Sequence, residues 1–202
     1  MLTISNRLSN EVLIVGIGGT FRSGSTTEKA VARVLNHVET FGARTLIFNG
    51  AALDFPSYRP GRDLHATGID NFLDALRAAD GIVLGSPGYH GGISGLVKNA
   101  LDYVEELVGD ERVYLDGRAI GCLATGNGWQ GANTTLSSLR DVSHALRGWP
   151  TPLGIALNSS ARLFDDAGAC VSPEADEQMR LMASQIVTFV HNRDAGARVP
   201  DA

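Results

Sequence analysis

The sequence contains little cysteine, no excess of basic residues and no long apolar run. Its 202 residues include 2 cysteines, and 17 Lys and Arg face 22 Asp and Glu, for a net charge of −5. Cys122 and Cys170 lie far apart, which fits neither a disulfide framework nor a Cys-x-x-Cys site. No stretch approaches the roughly 18 apolar residues of a membrane span, and the start lacks a basic-then-apolar leader. We therefore expect a cytoplasmic protein that binds neither membranes nor nucleic acid.

Several catalytic patterns are also absent. No Gly-x-Ser-x-Gly elbow is present, which excludes the nucleophile of an α/β-hydrolase. The five histidines show no metal-ligand spacing, and the carboxylates form no pair on a glycine-rich loop. We predict neither a metal site nor an obligatory acid–base residue, which is compatible with chemistry carried by a bound cofactor.

What the sequence has is an alternation of apolar strands and amphipathic helices. Strands are predicted at 12–16, 44–48, 81–84, 118–124 and 153–157. Each is followed by a helical pattern, at 25–40, 69–79, 94–108, 132–146 and 173–191. This alternation predicts a parallel sheet with helices on both faces. We expect a single α/β domain over residues 1–202, with its core at about 12–192 and a loose tail at 195–202.

The 24 glycines cluster in three places. The clusters at 16–24, 88–95 and 126–131 follow the first, third and fourth predicted strands. Ligands of open parallel sheets bind beyond the carboxyl ends of the strands, where the strand order reverses. In the strand order 2-1-3-4-5 the three ends are neighbours. We therefore predict a flavodoxin-like, three-layer sandwich with a five-stranded parallel sheet in this order, and one ligand site formed by the three loops.

The first glycine-rich loop, residues 19–27, leads into a helix and is rich in hydroxyl side chains. Backbone N–H groups at a helix N-terminus attract phosphate, and Arg22 adds a positive charge. The loop begins like a Walker A motif, but Ser25 stands where the lysine is required. It also fails as a dinucleotide fingerprint, because Phe21 occupies the third glycine position. A terminal monophosphate remains as the ligand, unless the segment is an ordinary capped turn.

The second loop is the most specific feature of the chain. Residues 86–102 run Ser-Pro-Gly-Tyr-His-Gly-Gly-Ile-Ser-Gly-Leu-Val-Lys-Asn-Ala-Leu-Asp. They resemble the NADPH-dependent FMN reductase family, whose third-strand loop has a Pro-x-Tyr turn, then Ser-Gly, then Leu-Lys-Asn-Ala-Leu-Asp. The first loop is similar to the family's Gly-Ser-x-Arg-x-x-Ser-x-Asn pattern, with departures at Thr20 and Thr27 that keep a short polar side chain. The resemblance extends from about residue 12 to about residue 157.

This resemblance implies an enzyme that binds FMN, oxidises NADPH or NADH, and passes electrons to a small acceptor: a quinone, an azo compound, a metal ion or free flavin. The first loop would hold the phosphate, the second would line the flavin ring, and the third would follow its polar edge. The predicted cofactor-binding residues are Thr20, Arg22, Ser25, Thr26 and Thr27, then Pro87, Gly88, Tyr89, His90, Gly91 and Gly92, then Thr125, Gly126, Asn127 and Gly128. No catalytic side chain is predicted, because the flavin carries the hydride chemistry.

Three points stay open at this stage. The alternative function is an FMN-binding electron carrier that docks to partner proteins without oxidising NAD(P)H itself, although carriers tend to be more acidic. Trp129 is equally suited to stacking on the ring and to covering a neighbouring subunit. Arg59 and Arg62 either meet the 2′-phosphate of NADPH or are solvated.

The helix predicted at 94–108 is relevant to self-association. The resembling family uses it between subunits, and Tyr103 and Leu107 widen its apolar stripe beyond what one sheet face needs. Alternatively, the whole stripe packs on the sheet. We expect a homodimer or a homotetramer. We also expect positive backbone φ angles at Gly91 and Gly92, where the second loop turns.

Overall fold

The structure, a computed structural model that describes residues 11–61 and 68–196, is a mostly parallel sheet between two helical layers. Its strands are β1 (Leu13–Ile17), β2 (Arg44–Phe48), β3 (Gly81–Tyr89), β4 (Gly92–Ile93), β5 (Ala119–Gly126), β6 (Trp149–Pro150) and β7 (Ile155–Asn158). Its helices are α1 (Thr26–Thr40), α2 (Ile69–Ala78), α3 (Gly95–Asp102), α4 (Trp129–Ala145) and α5 (Pro173–Gly196), with short 3-10 helices at Gly50–Leu53 and Tyr103–Leu107.

The order of the strands agrees with the prediction. The sheet runs β2-β1-β3-β5, and β6 and β7 both pair with β5, β6 at its start and β7 at its end. Since β5 and β7 are the fourth and fifth predicted strands, the order 2-1-3-4-5 is confirmed. The short strands β4 and β6 were not predicted. Strand β3 is longer than predicted, because its last residues continue into an antiparallel pairing with β4.

Each face of the sheet carries its own apolar layer. Successive side chains of a strand point to opposite faces. Ile82 and Leu84 of β3 pack with residues of α2, α3 and α4, whereas Val83 packs with residues of α1 and α5. Burial on both faces explains why this strand is apolar throughout rather than alternating. Among the described residues, no helix has the length and apolarity that a membrane crossing requires.

The apolar stripe that follows α3 is not an open surface, and the expectation that it exceeds what the fold needs was wrong. Tyr103 and Leu107 are 1% and 0% exposed within the single chain. The segment after β2 covers Tyr103: its hydroxyl donates to the Pro56 carbonyl at 2.8 Å, and its ring meets Phe55 edge-on. The Asn99 side chain fastens the same segment by donating to the carbonyls of Phe55 and Pro56. Self-association remains a prediction without this stripe as its support.

A buried arginine lies at the amino end of the sheet, directly before β5. The Arg118 guanidinium lies beside β5 and donates to four backbone carbonyls at 3.0 to 3.3 Å, with no carboxylate among these acceptors. Those carbonyls belong to Arg77, Ala79, Tyr114 and Asp116. Burial lowers the pKa of Arg118 to about 10. Its positive charge is therefore held by carbonyl dipoles.

We expect Arg118→Met to lower the free energy of unfolding by about 2–4 kcal/mol, because buried carbonyls lose their donors. Urea unfolding followed by circular dichroism measures the change. The control is Arg162→Met, since Arg162 is exposed and its nearest carboxylate, on Asp166, is 3.6 Å away. An exposed pair of this kind contributes about 0–1 kcal/mol. Equal midpoints for the two variants would contradict the structural role of Arg118.

An ion pair joins the two helices on one face of the sheet. Asp176 in α5 accepts from Arg33 Nε at 2.6 Å and Nη2 at 2.9 Å, and lies 2.9 Å from His37 Nε2. The hydrogen bonds from Arg33 and, less strongly, from His37 lower the pKa of Asp176 to about 2, although partial burial opposes the shift. The carboxylate is thus stabilised in the folded chain.

This ion pair predicts that the fold loses stability in acid. A carboxyl group whose folded pKa is about 2 and whose unfolded pKa is about 3.9 stabilises the fold above pH of about 4, and this contribution is lost as pH falls towards 2. We expect Asp176→Asn to be less stable than the wild type by about 1–2 kcal/mol near neutral pH. In thermal melts over a pH series, the gap between the two proteins should close as pH falls through that window. A gap that does not change with pH would contradict the assignment.

Candidate functional site

The first predicted loop is shaped by its own polar groups. The Thr20 hydroxyl oxygen lies 3.0 Å from the Arg22 backbone nitrogen and 3.1 Å from the Arg22 carbonyl oxygen, so it stabilises the turn. The Arg22 side chain is exposed, and none of the ion pairs within residues 11–61 and 68–196 includes it. Its guanidinium is therefore available to an anion.

The loop ends at a capped helix. Ser25 is the N-cap of α1 and accepts from the Glu28 backbone N–H at 3.3 Å, while the Glu28 carboxylate accepts from the Gly24 N–H at 2.9 Å. In the described part of the chain, no hydrogen bond engages the backbone N–H groups of Thr26 and Thr27. Two open donors at a helix N-terminus, in a loop that also carries an exposed arginine, fit a phosphate group.

The second predicted loop is the hairpin between β3 and β4. Gly88 pairs with Ile93, and Tyr89 pairs with Gly92, which leaves a turn of two residues. Its φ angles are +53° at His90 and +83° at Gly91, the combination of a type I′ turn. The positive φ expected at Gly91 is confirmed, but the second one is at His90 rather than at Gly92. The hairpin register determines this, because Gly92 already belongs to β4.

The third predicted loop is packed against this hairpin. A Cβ added at Gly88 would lie 2.8 Å from the Gly131 carbonyl oxygen of α4, so glycine is needed for the close approach. The Gly128 N–H, just before α4, donates to the Asn158 side chain at 3.0 Å. Asn158 is not among the predicted site residues. Its position at the carboxyl end of β7 could have identified it, because that edge carries the ligands of such sheets.

Two threonines of the predicted site are buried and bonded to each other. Thr27 in α1 and Thr125 in β5 have their hydroxyl oxygens 2.6 Å apart, and the residues are 1% and 4% exposed. Pro87, also buried, is the residue of β3 that pairs with Thr125. Asn127 of the third loop is exposed. The three loops therefore meet at one edge of the sheet, as predicted.

A cleft of about 310 Å³ lies between the first loop and the hairpin. Three predicted residues line it, together with Phe21 and the start of α3: Thr20, Arg22, Tyr89, Phe21, Ser94, Gly95 and Leu96. Phe21 and Tyr89 are 65% and 54% exposed, so two aromatic side chains and the positively charged Arg22 are accessible at the cleft. A larger groove of about 430 Å³ lies near Trp149 and Ala119, at the amino end of β5 and away from the edge where ligands of such sheets bind.

The structure describes two of the three remaining candidate residues. Trp129 is exposed at the start of α4, and Arg59 is exposed on the segment after β2. Arg62 lies outside the described residues. Within the described part of the chain, no group of three His, Cys, Asp or Glu side chains is arranged to hold a metal ion.

Comparison with known proteins gives consistent results. Residues 12–161 match the family model of NADPH-dependent FMN reductases. An FMN-dependent NADPH-azoreductase of Staphylococcus haemolyticus (strain JCSC1435) is 31% identical over 183 residues, which cover 87% of this chain and 94% of that protein.

Two solved structures show the same fold. The flavoenzyme FerB, an NAD(P)H:acceptor oxidoreductase from Paracoccus denitrificans, has a TM-score of 0.71 at 17% identity, covering 90% of this chain and 98% of its own. An NADH:FMN oxidoreductase in its apo form has a TM-score of 0.66 at 22% identity, covering 90% of this chain and 89% of its own. At these identities the similarity establishes the fold, and the predicted flavodoxin-like sandwich is confirmed.

Proposed function

This chain belongs to the NADPH-dependent FMN reductase family, and from that premise we propose that its three loops hold FMN between NADPH and a small-molecule electron acceptor. It is an oxidoreductase that uses FMN and NADPH. Bound FMN would supply the redox chemistry, the two-electron transfer from NADPH, oxidised to NADP⁺, to the acceptor. The side chains of this protein therefore bind, orient and shield.

The observation that carries the proposal is the anion site of the first loop. The exposed Arg22 side chain lines the cleft beside the hairpin, and the open N–H groups of Thr26 and Thr27 follow in the same loop, at the start of α1. Glu28 occupies the Gly24 N–H, so this donor is already engaged when a phosphate binds. A phosphate ester carries nearly two negative charges at neutral pH, which a guanidinium and helix N–H donors satisfy.

The hairpin and the third loop would line the flavin ring. Tyr89 and the His90–Gly91 turn present an exposed edge at the carboxyl end of β3. Asn158 fixes the Gly128 backbone on the neighbouring loop, which leaves the exposed Asn127 amide to meet the ring's polar atoms. A backbone held by such side-chain bonds is preorganised, so little ordering cost accompanies binding.

We propose planar aromatic acceptors, azo compounds and quinones, as the electron acceptors. The curated relative from Staphylococcus haemolyticus is an FMN-dependent NADPH-azoreductase. The exposed side chains of Phe21 and Tyr89 at the cleft support this choice, since exposed aromatic side chains stack on planar ligands. Membership in a reductase family favours this function over the electron carrier.

Compartment and assembly remain predictions. A cytoplasmic location is supported by the two cysteines, which are both free, and burial raises the pKa of the Cys122 thiol to about 11, so this thiol is inert. We propose a homodimer or a homotetramer by analogy with the family.

Steady-state oxidation of NADPH by the purified protein tests the proposed function. We expect turnover with FMN and an azo dye or a quinone, with no protein partner added, and loss of turnover when FMN is withheld. NADH in place of NADPH measures the preference for the donor. Nucleotide oxidation that requires an added protein partner would identify the electron carrier instead.

A further inference from the structure

The buried pair of Thr27 and Thr125, called here the threonine pair, joins the first loop to the third loop. These loops are proposed above to hold different ends of FMN. Thr27 is in the first turn of α1, in the proposed phosphate loop, and Thr125 is next to the end of β5, where the third loop begins. Their hydroxyl oxygens are 2.6 Å apart although the residues are 98 positions apart in sequence. The pair is therefore a direct side-chain bond between the first loop, called here the phosphate loop, and the third loop, called here the ring-edge loop.

Burial ensures that the two hydroxyl groups bind each other. At 1% and 4% exposure neither residue is open to solvent, and within the described residues each hydroxyl has the other as its hydrogen-bond partner. A hydroxyl buried without a partner is costly, so the bond resists opening. The bond engages both hydroxyl oxygens, whereas within the described residues no hydrogen bond engages the Thr27 backbone N–H.

We propose that the threonine pair acts through position, fixing the phosphate loop relative to the ring-edge loop so that the two ends of FMN bind cooperatively. The inference rests on the proposed function, since it requires FMN to span both loops. Thr27 and Thr125 are then positioning residues, and their hydroxyl groups are not ligands of the phosphate or of the ring. Riboflavin, which lacks the phosphate, gains little from the placement of the phosphate loop.

This proposal makes an unusual prediction for Thr125. If Thr125 were a direct ligand of the ring, replacing it would weaken the binding of FMN and of riboflavin equally. If the pair acts through position, Thr125→Val instead lowers the ratio of FMN affinity to riboflavin affinity, by the same factor as Thr27→Val. Valine has nearly the shape of threonine, so only the hydrogen bond is removed.

The test measures FMN and riboflavin affinities by flavin fluorescence quenching for five proteins and one control variant. These are the wild type, Thr27→Val, Thr125→Val, the double variant, and Thr27→Ser, which keeps the hydroxyl. We expect each valine variant to lower the ratio of FMN affinity to riboflavin affinity about 3- to 10-fold. The double variant should lower this ratio no further, and Thr27→Ser should keep the wild-type ratio. Thr151→Val is the matched control, because Thr151 is equally buried at 4% but its hydroxyl donates to the Leu153 carbonyl, near the amino end of β5.

Unfolding measurements separate position from stability. Each single variant leaves one buried hydroxyl unpaired, whereas the double variant removes both, so the double variant should regain stability while its affinity ratio stays low. A ratio that recovers together with stability, or that changes in Thr27→Val alone, overturns the proposal. Equal weakening of both flavins by Thr125→Val also overturns it. A wild type that binds FMN but fails these comparisons removes this inference alone, whereas a wild type that binds no FMN removes the proposed function as well.

Discussion

Replacing Arg22 with alanine is expected to weaken FMN binding roughly ten- to a hundredfold and to leave riboflavin binding almost unchanged. The Arg22 side chain is exposed, is not in an ion pair of the described residues, and lines the cleft between the first loop and the hairpin. It can therefore face the phosphate without breaking a native contact. A charge-assisted hydrogen bond contributes about 1.5–3 kcal/mol, which corresponds to the expected loss.

Fluorescence titration with both flavins measures this effect, and Arg44→Ala is its control. Arg44 is also exposed but begins β2, at the amino end of the sheet, so its removal changes the net charge equally without touching the site. FMN affinity should fall for Arg22→Ala and not for Arg44→Ala. Equal losses of FMN and riboflavin in Arg22→Ala would show that the arginine does not contact the phosphate.

Replacing Gly91 with valine is expected to abolish flavin binding in a protein that still folds. The φ angle of +83° at Gly91 is strained for a β-branched residue, at a cost of about 1–3 kcal/mol in stability. Apart from the two chain neighbours, no heavy atom of the described residues lies within 4 Å of a Cβ added at Gly91, so the fold has space for the side chain. The same space on the ligand side is where the flavin ring would pack against the backbone, and a valine there excludes it.

Gly42→Val separates strain from obstruction. Gly42 has a φ of +84° and open space around its Cβ, but it connects α1 to β2, at the opposite end of the sheet. We expect both variants to lose similar stability in thermal melts and only Gly91→Val to lose FMN quenching. A folded Gly91→Val that binds FMN normally would mean that the hairpin is a structural turn, and the site would then depend on the first loop.

The main elements of the fold could be predicted from local sequence, because apolar runs and helical periodicity are properties of short windows. Strands β4 and β6 could not, since each has two residues and β6 contains Pro150, which disfavours a strand. The burial of Tyr103 could not be predicted either. It depends on the irregular segment at 55–58, whose folding over α3 leaves no periodic pattern.

The three loops of the site were predictable as segments, but the partners of individual hydroxyl groups were not. Thr20 bonds the Arg22 backbone and Thr27 bonds Thr125, although the sequence suggests phosphate ligands in both cases. A hydroxyl bonds whichever acceptor the tertiary structure brings near, and the pattern of the first loop contains no information about β5. The positive φ at His90 was hidden for a similar reason, because the register of the hairpin sets it.

The most direct test of this account is an absorbance spectrum of the purified protein, recorded without oxygen, during titration first with FMN and then with NADPH. The account predicts that the flavin band shifts as FMN binds and bleaches when NADPH is added, with one NADPH consumed for each bound FMN. Bound FMN that stays oxidised with both NADPH and NADH, yet bleaches with a chemical reductant, would contradict it.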